Sequence, residues 1–225
     1  MMQIRSVFTN RAGFIAATAT FLFVALAVMP ASGPTVGVLF DPALEGGVPE
    51  LAIFPRPGTG HPVPVWVRGL DFLSDRPEVD PQRIAVEGGS QGGAFALVLA
   101  GLDPRVAAAV ANVPYISNIP DYIRLSTGGS GASFLERIKD PETGEAAARS
   151  LAYIDVANLA YSISAPTQII VGVQDRVTPP LNGVVAYNRI PDGVPAELLR
   201  EFTAGHEISP FMRESNRRWY ETHLK

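Results

Sequence analysis

Apolar and polar positions along this chain follow two periods, and the switches between them mark its elements. Trp66, Leu70 and Leu73 recur at helical spacing until Pro77 stops them. Asp80-Pro81 turns the chain, and Arg83-Ile84-Ala85-Val86-Glu87 reads as a compact buried strand. Residues 94–102 are apolar on nearly every side, as in a helix buried within a layered fold. Residues 106–113, mostly alanine and valine before Pro114, predict the next strand. The clearest strand is Thr167-Gln168-Ile169-Ile170-Val171-Gly172-Val173, and residues 196–202 form a weaker one. Helices are predicted over 181–189 and 210–223. Strand and helix alternate from residue 65 onward, which predicts an α/β fold: a mainly parallel sheet with helices on both faces.

Two stretches interrupt the alternation. Residues 34–64 are rich in Gly and Pro, with short strands predicted at 35–40 and 50–54 between turn sequences. Residues 115–150 read as an insertion with helical stretches, broken at Thr127-Gly128-Gly129-Ser130-Gly131. The first 33 residues differ again. Arg5 and Arg11 precede an uncharged apolar run from Phe14 to Met29, and Ala31-Ser32-Gly33 follows. That order predicts a signal peptide or membrane anchor over 1–33 and an exported or membrane-anchored protein, with the folded domain at 34–225. A buried core helix is the competing reading of the run.

Composition narrows the chemistry. The chain has 225 residues, 47% of them hydrophobic, enough for one domain with a sizeable core. A net charge of −4 gives no broad basic footprint, which argues against a nucleic-acid partner. Cysteine is absent, so thiolate nucleophiles, disulfides and cysteine-based zinc sites are excluded together. Any imidazole must come from three histidines: His61, His206 and His223.

Gly88-Gly89-Ser90-Gln91-Gly92 fits G-x-S-x-G, with a predicted strand before it and a buried helix after it. A nucleophilic serine held on a strained strand-to-helix turn needs glycine two residues to either side, where a side chain would strike backbone. The turn would also set the Gln91 N–H at the helix N-terminus, facing a developing oxyanion. The plainer alternative is a tight packing turn. Gly128-Gly129-Ser130-Gly131 is as rich in glycine but follows no strand, and reads as an ordinary loop.

A serine hydroxyl needs a base, and in this arrangement the chain order is Ser, Asp/Glu, His. His61 violates that order, and His223 is the third residue from the C-terminal end. His206, in Ala204-Gly205-His206-Glu207 just after a predicted strand, is the candidate base; a loop histidine bonded to backbone is the alternative. Asp175, just past the clearest strand, is the candidate acid. Its alternative role is to cap the helix introduced by Pro179-Pro180, a task Thr178 is also placed to do. Asp155 is the second candidate for the acid.

The segment Pro77-Glu78-Val79-Asp80-Pro81-Gln82-Arg83-Ile84-Ala85-Val86, followed by Gly88-Gly89-Ser90-Gln91-Gly92-Gly93, resembles carbohydrate esterase family 7, the acetyl xylan esterases and cephalosporin-C deacetylases. Tyr153-Ile154-Asp155-Val156-Ala157-Asn158-Leu159-Ala160, the stretch from Asp175 through Pro179-Pro180 to Ile190, and Gly205-His206-Glu207 agree with it. The resemblance covers residues 66–225. It implies an α/β-hydrolase that deacetylates short sugars and related small esters, without metal or cofactor, with Ser90, Asp175 and His206 as its triad. It also implies ring-shaped homo-oligomers.

Upstream the likeness weakens. Members of that family carry several strands and a His-Gly-Tyr-type loop that completes the oxyanion hole, and this sequence contains no His-Gly-Tyr. Two strands and one helix fit into 34–82, so a sheet lacking some N-terminal strands is expected. Gly58-Thr59-Gly60-His61 is the nearest loop of small residues, with a plain turn as the alternative. Trp66 and Trp219 are read as helix packing. The sequence therefore predicts a serine esterase acting through an acyl-Ser90 intermediate. Its rivals are another hydrolase of the same fold, such as a prolyl-oligopeptidase-like peptidase, and a shortened, non-catalytic relative.

Overall fold

In a computed structural model of the chain, the described residues are 24–28, 36–39, 63–77, 79–126 and 131–224. They form one six-stranded sheet. Its strands are β1 (Val24–Val28), β2 (Val36–Leu39), β3 (Ile84–Gly89), β4 (Val106–Asn112), β5 (Thr167–Gly172) and β6 (Ala196–Glu201), in the order β2-β1-β3-β4-β5-β6. β3 through β6 run parallel, while β1 is antiparallel to both β2 and β3. The helices are α1 (Val63–Ser74), α2 (Gln91–Leu102), α3 (Ile119–Leu125), α4 (Gly131–Lys139), α5 (Gly144–Ile154), α6 (Leu181–Tyr187) and α7 (Pro210–His223).

The two faces of the sheet follow the strand period of two. Ile84 and Val86 join Ala109 and Ala111 in a core shared with Leu70 and Leu73 of α1, most of α2, and Ala186 of α6. Ala85, Ala108 and Val110 point the other way, against Tyr220 and Leu224 at the end of α7. The register slips by one residue between Ile84 and Ala85, so Ala107 is the extra residue of a bulge. Helices on both faces, as expected, therefore cover strands that are apolar on both sides. α2 has no polar stripe because residues 92–100 are buried within this layer.

Polar pins hold the ends of the layers. Arg105 bridges Asp103 (2.6 Å) and Asp71 of α1 (2.8 Å) across a turn and a helix. Arg83 donates from Nε to the Leu224 carbonyl at 3.1 Å, tying the C-terminus to the start of β3.

The elements predicted from residue 65 onward are present with ends shifted by a few residues. Upstream, among the described residues, two strands and one helix precede β3. The predicted strand at 35–40 is β2, whereas residues 50–54 lie outside the described residues. The other strand is Val24–Val28, from the apolar run assigned to a signal peptide or anchor, and it pairs with β3 from Val24↔Gly88 to Val28↔Ile84. This strand lies within the 1–33 segment. An uncharged Val-Ala-Leu-Ala-Val segment suits a sheet interior as well as it suits a bilayer, and hydropathy alone does not separate the two. No helix among the described residues is long and apolar enough to cross a membrane.

Candidate active site

Ser90 occupies the turn between β3 and α2 with φ 56° and ψ −118°, a backbone conformation that side-chain-bearing residues rarely adopt. Such a residue costs roughly 1–3 kcal/mol, so its surroundings must hold it. They do: the Ser90 N–H donates to the Asn112 carbonyl at 2.9 Å. The Ser90 carbonyl accepts from Ala94 (3.1 Å) and Tyr115 (3.0 Å). The flanking glycines have the steric reason expected. A Cβ on Gly88 would overlap the Gly92 carbonyl, and one on Gly93 would lie 3.0 Å from the Asn112 oxygen. Gln91 opens α2, so its N–H is among the amides without a partner inside the helix. Its side-chain Nε2 is buried without a hydrogen-bond partner among the described residues.

Asp175 lies three residues past β5, and its carboxylate takes four hydrogen bonds. Oδ1 accepts from the Val177 and Thr178 amides, both at 2.8 Å. Oδ2 accepts from Thr178 Oγ1 at 2.8 Å and is 2.8 Å from His206 Nδ1. Burial alone would push this carboxyl up, but the bonds from His206 and Thr178 outweigh it and hold the acid below its ordinary range. Pairing with His206 and organising the following turn are thus both done by Asp175. Thr178 does not cap in its place; it joins the pair. Its Oγ1 lies 3.2 Å from His206 Nδ1 and 3.0 Å from the Val113 carbonyl.

The second candidate acid is accounted for elsewhere. Asp155 accepts from the Asn118, Ile119 and Ala157 amides at 2.8–2.9 Å, fastening the start of α3 to the turn after α5. His223 packs against Trp219, ring centroids 4.1 Å apart, at the far end of α7. His61 and the loop at 58–61 lie outside the described residues.

The ends of β3 and β5 both meet the loop that carries His206. A Cβ on Gly89 would lie 2.5 Å from Ile208 Cδ1, so the residue before Ser90 touches the loop that carries His206. A Cβ on Gly172 would lie 2.7 Å from the Ala204 oxygen, which presses the end of β5 against the same loop. The site therefore sits at the carboxyl ends of parallel strands, where open α/β sheets place their ligands. Among the described residues no hydrogen bond joins Ser90 Oγ to His206. An open cleft of about 620 Å³ beside the acid is lined, among the described residues, by Val173, Gln174, Asp175 and Arg176. A strained serine, a helix N-terminus and an imidazole held by a buried carboxylate can together carry out acyl transfer.

With that geometry in place, the match to known sequences is decisive. Residues 66–223 fit the acetyl xylan esterase (AXE1) family. The chain belongs to that family. Within it, the chain is 41% identical over 130 residues to the acetyl esterase Axe7A of Xylanibacter ruminicola, covering 58% of this chain and 29% of that protein. The acetyl xylan esterase from Paenibacillus sp. R4 superposes with a TM-score of 0.69 at 34% identity, covering 84% of this chain and 62% of that one. Acetyl xylan esterase 1 from Thermoanaerobacterium sp. JW/SL YS485 gives 0.66 at 28% identity, covering 73% and 53%. The chain thus spans under a third of that curated relative and a little over half of these two esterases. The AXE1 match begins within α1, so β1 and β2 lie upstream of it.

Sequence reasoning misses two contributors to this AXE1 site. It offers Thr178 only as a cap, because the contacts of that residue to His206 and Val113 span 28 and 65 residues. Val113, a β-branched residue at φ 42°, gives no sign of strain in its sequence.

Proposed function

We propose that the protein is a serine esterase that removes acetyl groups from small oxygen esters such as acetylated xylo-oligosaccharides. Ser90 Oγ attacks the acetyl carbonyl while His206 Nε2 takes its proton; Asp175, at His206 Nδ1, orients the ring and stabilises the imidazolium. The Gln91 N–H, at the positive end of α2, stabilises the oxyanion. The imidazolium then protonates the departing sugar alkoxide, leaving acetyl-Ser90. Water, deprotonated by His206, attacks this ester; acetate leaves and the proton returns to Ser90. The observation that supports this reading most is the strained Ser90 turn beside an imidazole 2.8 Å from a buried carboxylate.

The experiment is acetate release from acetylated xylo-oligosaccharides set beside cleavage of peptide anilides. The esterase reading expects the first activity and not the second. Cleavage of anilides without acetate release would replace it with a peptidase of the same fold.

Export is a further proposal, supported by Arg5 and Arg11 ahead of the apolar run Phe14 to Met29. Recovery of the protein only from the cytosol of expressing cells would refute it. Ring-shaped self-association, which the family resemblance implies, is tested by the mass of the purified protein in light scattering; a monomer would refute it.

A further inference from the structure

Thr178 Oγ1 lies within 3.2 Å of three groups from three segments: Asp175 Oδ2 at 2.8 Å, the Val113 carbonyl at 3.0 Å and His206 Nδ1 at 3.2 Å. It is 3% exposed, so water does not compete for it. A hydroxyl has one proton and two acceptor positions. Asp175 Oδ2 and the Val113 carbonyl both accept from this hydroxyl, so its one proton is shared between them, weighted to the charged and nearer carboxylate. The His206 Nδ1–H then points between Asp175 Oδ2 and a lone pair of Thr178.

Val113 makes the third contact informative. It directly follows Asn112, whose carbonyl takes the Ser90 N–H, and at φ 42° it is a strained β-branched residue. Its N–H is fixed to the Ile170 carbonyl at 2.7 Å, and its own carbonyl faces Thr178. One side chain therefore links the backbone that supports Ser90 to both the acid and the base.

We propose that Thr178 is a positioning residue of the reaction: its hydroxyl fixes the Asp175 carboxylate and the His206 ring relative to the backbone that carries Ser90. This rests on the esterase reading for the reaction itself, but the arrangement it describes can be read without turnover. The hydroxyl is the active part. With it, all four acceptor positions of Asp175 are filled and the carboxylate cannot rotate; without it, Oδ2 keeps only the imidazole.

The test compares Thr178→Val, which keeps the shape and removes the hydroxyl, with Thr178→Ser, which keeps the hydroxyl, in the full chain. Turnover of p-nitrophenyl acetate and the downfield proton resonance of the His206 Nδ1–H are measured on each. Thr178→Val is expected to lower kcat about 10- to 100-fold, the range spanned by one hydrogen bond to a charged group, with KM within twofold and the resonance shifted or lost. Thr178→Ser is expected to keep kcat within about threefold and to retain the resonance, since its hydroxyl makes the same bond. An unchanged kcat and resonance in Thr178→Val overturns the proposal, and so does a Ser variant as impaired as the Val variant, which would make the methyl group the reason for the residue. If Thr178→Val does not fold, Thr178→Ser against Thr178→Ala carries the same contrast. A Ser90→Ala protein that still turns over would sink the esterase reading instead, leaving the resonance to decide for Thr178.

Discussion

Gly88 and Gly92 meet backbone to backbone across the Ser90 turn, so closely that a Cβ on Gly88 would overlap the Gly92 carbonyl carbon and oxygen. Strand β3 and helix α2 cross at that point, and the crossing sets the direction of the Ser90 side chain. Gly88→Ala is expected to lower stability by about 1–3 kcal/mol and to abolish most ester hydrolysis, because the turn must open to admit the methyl. Gly69 is the control. It sits inside α1, and a methyl added there would meet nothing within 4 Å, so Gly69→Ala is expected to be neutral or to stabilise by about 0.5–1 kcal/mol. Chemical denaturation of both variants checks the contrast.

The two candidate aspartates for the acid role should separate cleanly. Asp175→Asn keeps an oxygen for the Val177 and Thr178 amides but presents the wrong group to His206 Nδ1. It is expected to fold and to lose about 10⁴-fold in kcat. Asp155→Asn weakens the three backbone bonds that fasten α3 and is expected to cost about 1–3 kcal/mol of stability, with kcat retained in the folded fraction. A reversal of the two phenotypes would reassign the acid.

Glu87, three residues before Ser90, gives a pH signature of its own. Asn216 Nδ2 donates to Glu87 Oε1 at 2.7 Å. Burial pushes this carboxyl up, against the opposing bonds from Asn216 and Tyr220 and the charge of Arg213. A folded-state value above the unfolded one means that the folded protein binds the extra proton. The stability this contributes is complete below the ordinary glutamate range and declines as pH rises through the raised value. Glu87→Gln keeps an oxygen to accept from Asn216 Nδ2 and does not titrate. Its stability relative to the natural protein is therefore expected to grow between pH 4 and pH 8, by about 1–3 kcal/mol. Parallel stability curves for the two proteins across that range would contradict it.

Most of the fold from residue 65 onward is legible because each element carries its own local pattern: period-four apolar positions before Pro77, and alanine–valine runs ending at proline or glycine. The candidate site is legible where chemistry forces a residue type, as with Ser90 between its glycines and His206 as the histidine in the right chain order. Thr178 and Glu87 are not. Their roles arise from partners 65 and 129 residues away, and no local periodicity records such contacts. Val24–Val28 reads two ways. An uncharged apolar segment carries the same signal whether it enters a sheet or a membrane.

That segment makes a separate prediction. β1 covers the edge of β3, so a protein comprising residues 34–225 should expose that edge. It is expected to melt at lower temperature than the full chain and to self-associate at micromolar concentration. An identical melt for the two would mean that residues 24–28 contribute nothing to the folded unit.

The most direct measurement is hydrolysis of p-nitrophenyl acetate by the full chain beside Ser90→Ala, with the folding of both confirmed by circular dichroism. The account predicts loss of activity in the variant by three orders of magnitude or more, since no acyl intermediate can form without the hydroxyl. Equal rates in the two proteins would contradict it, because Ser90 would then hold its strained turn without taking part in the chemistry.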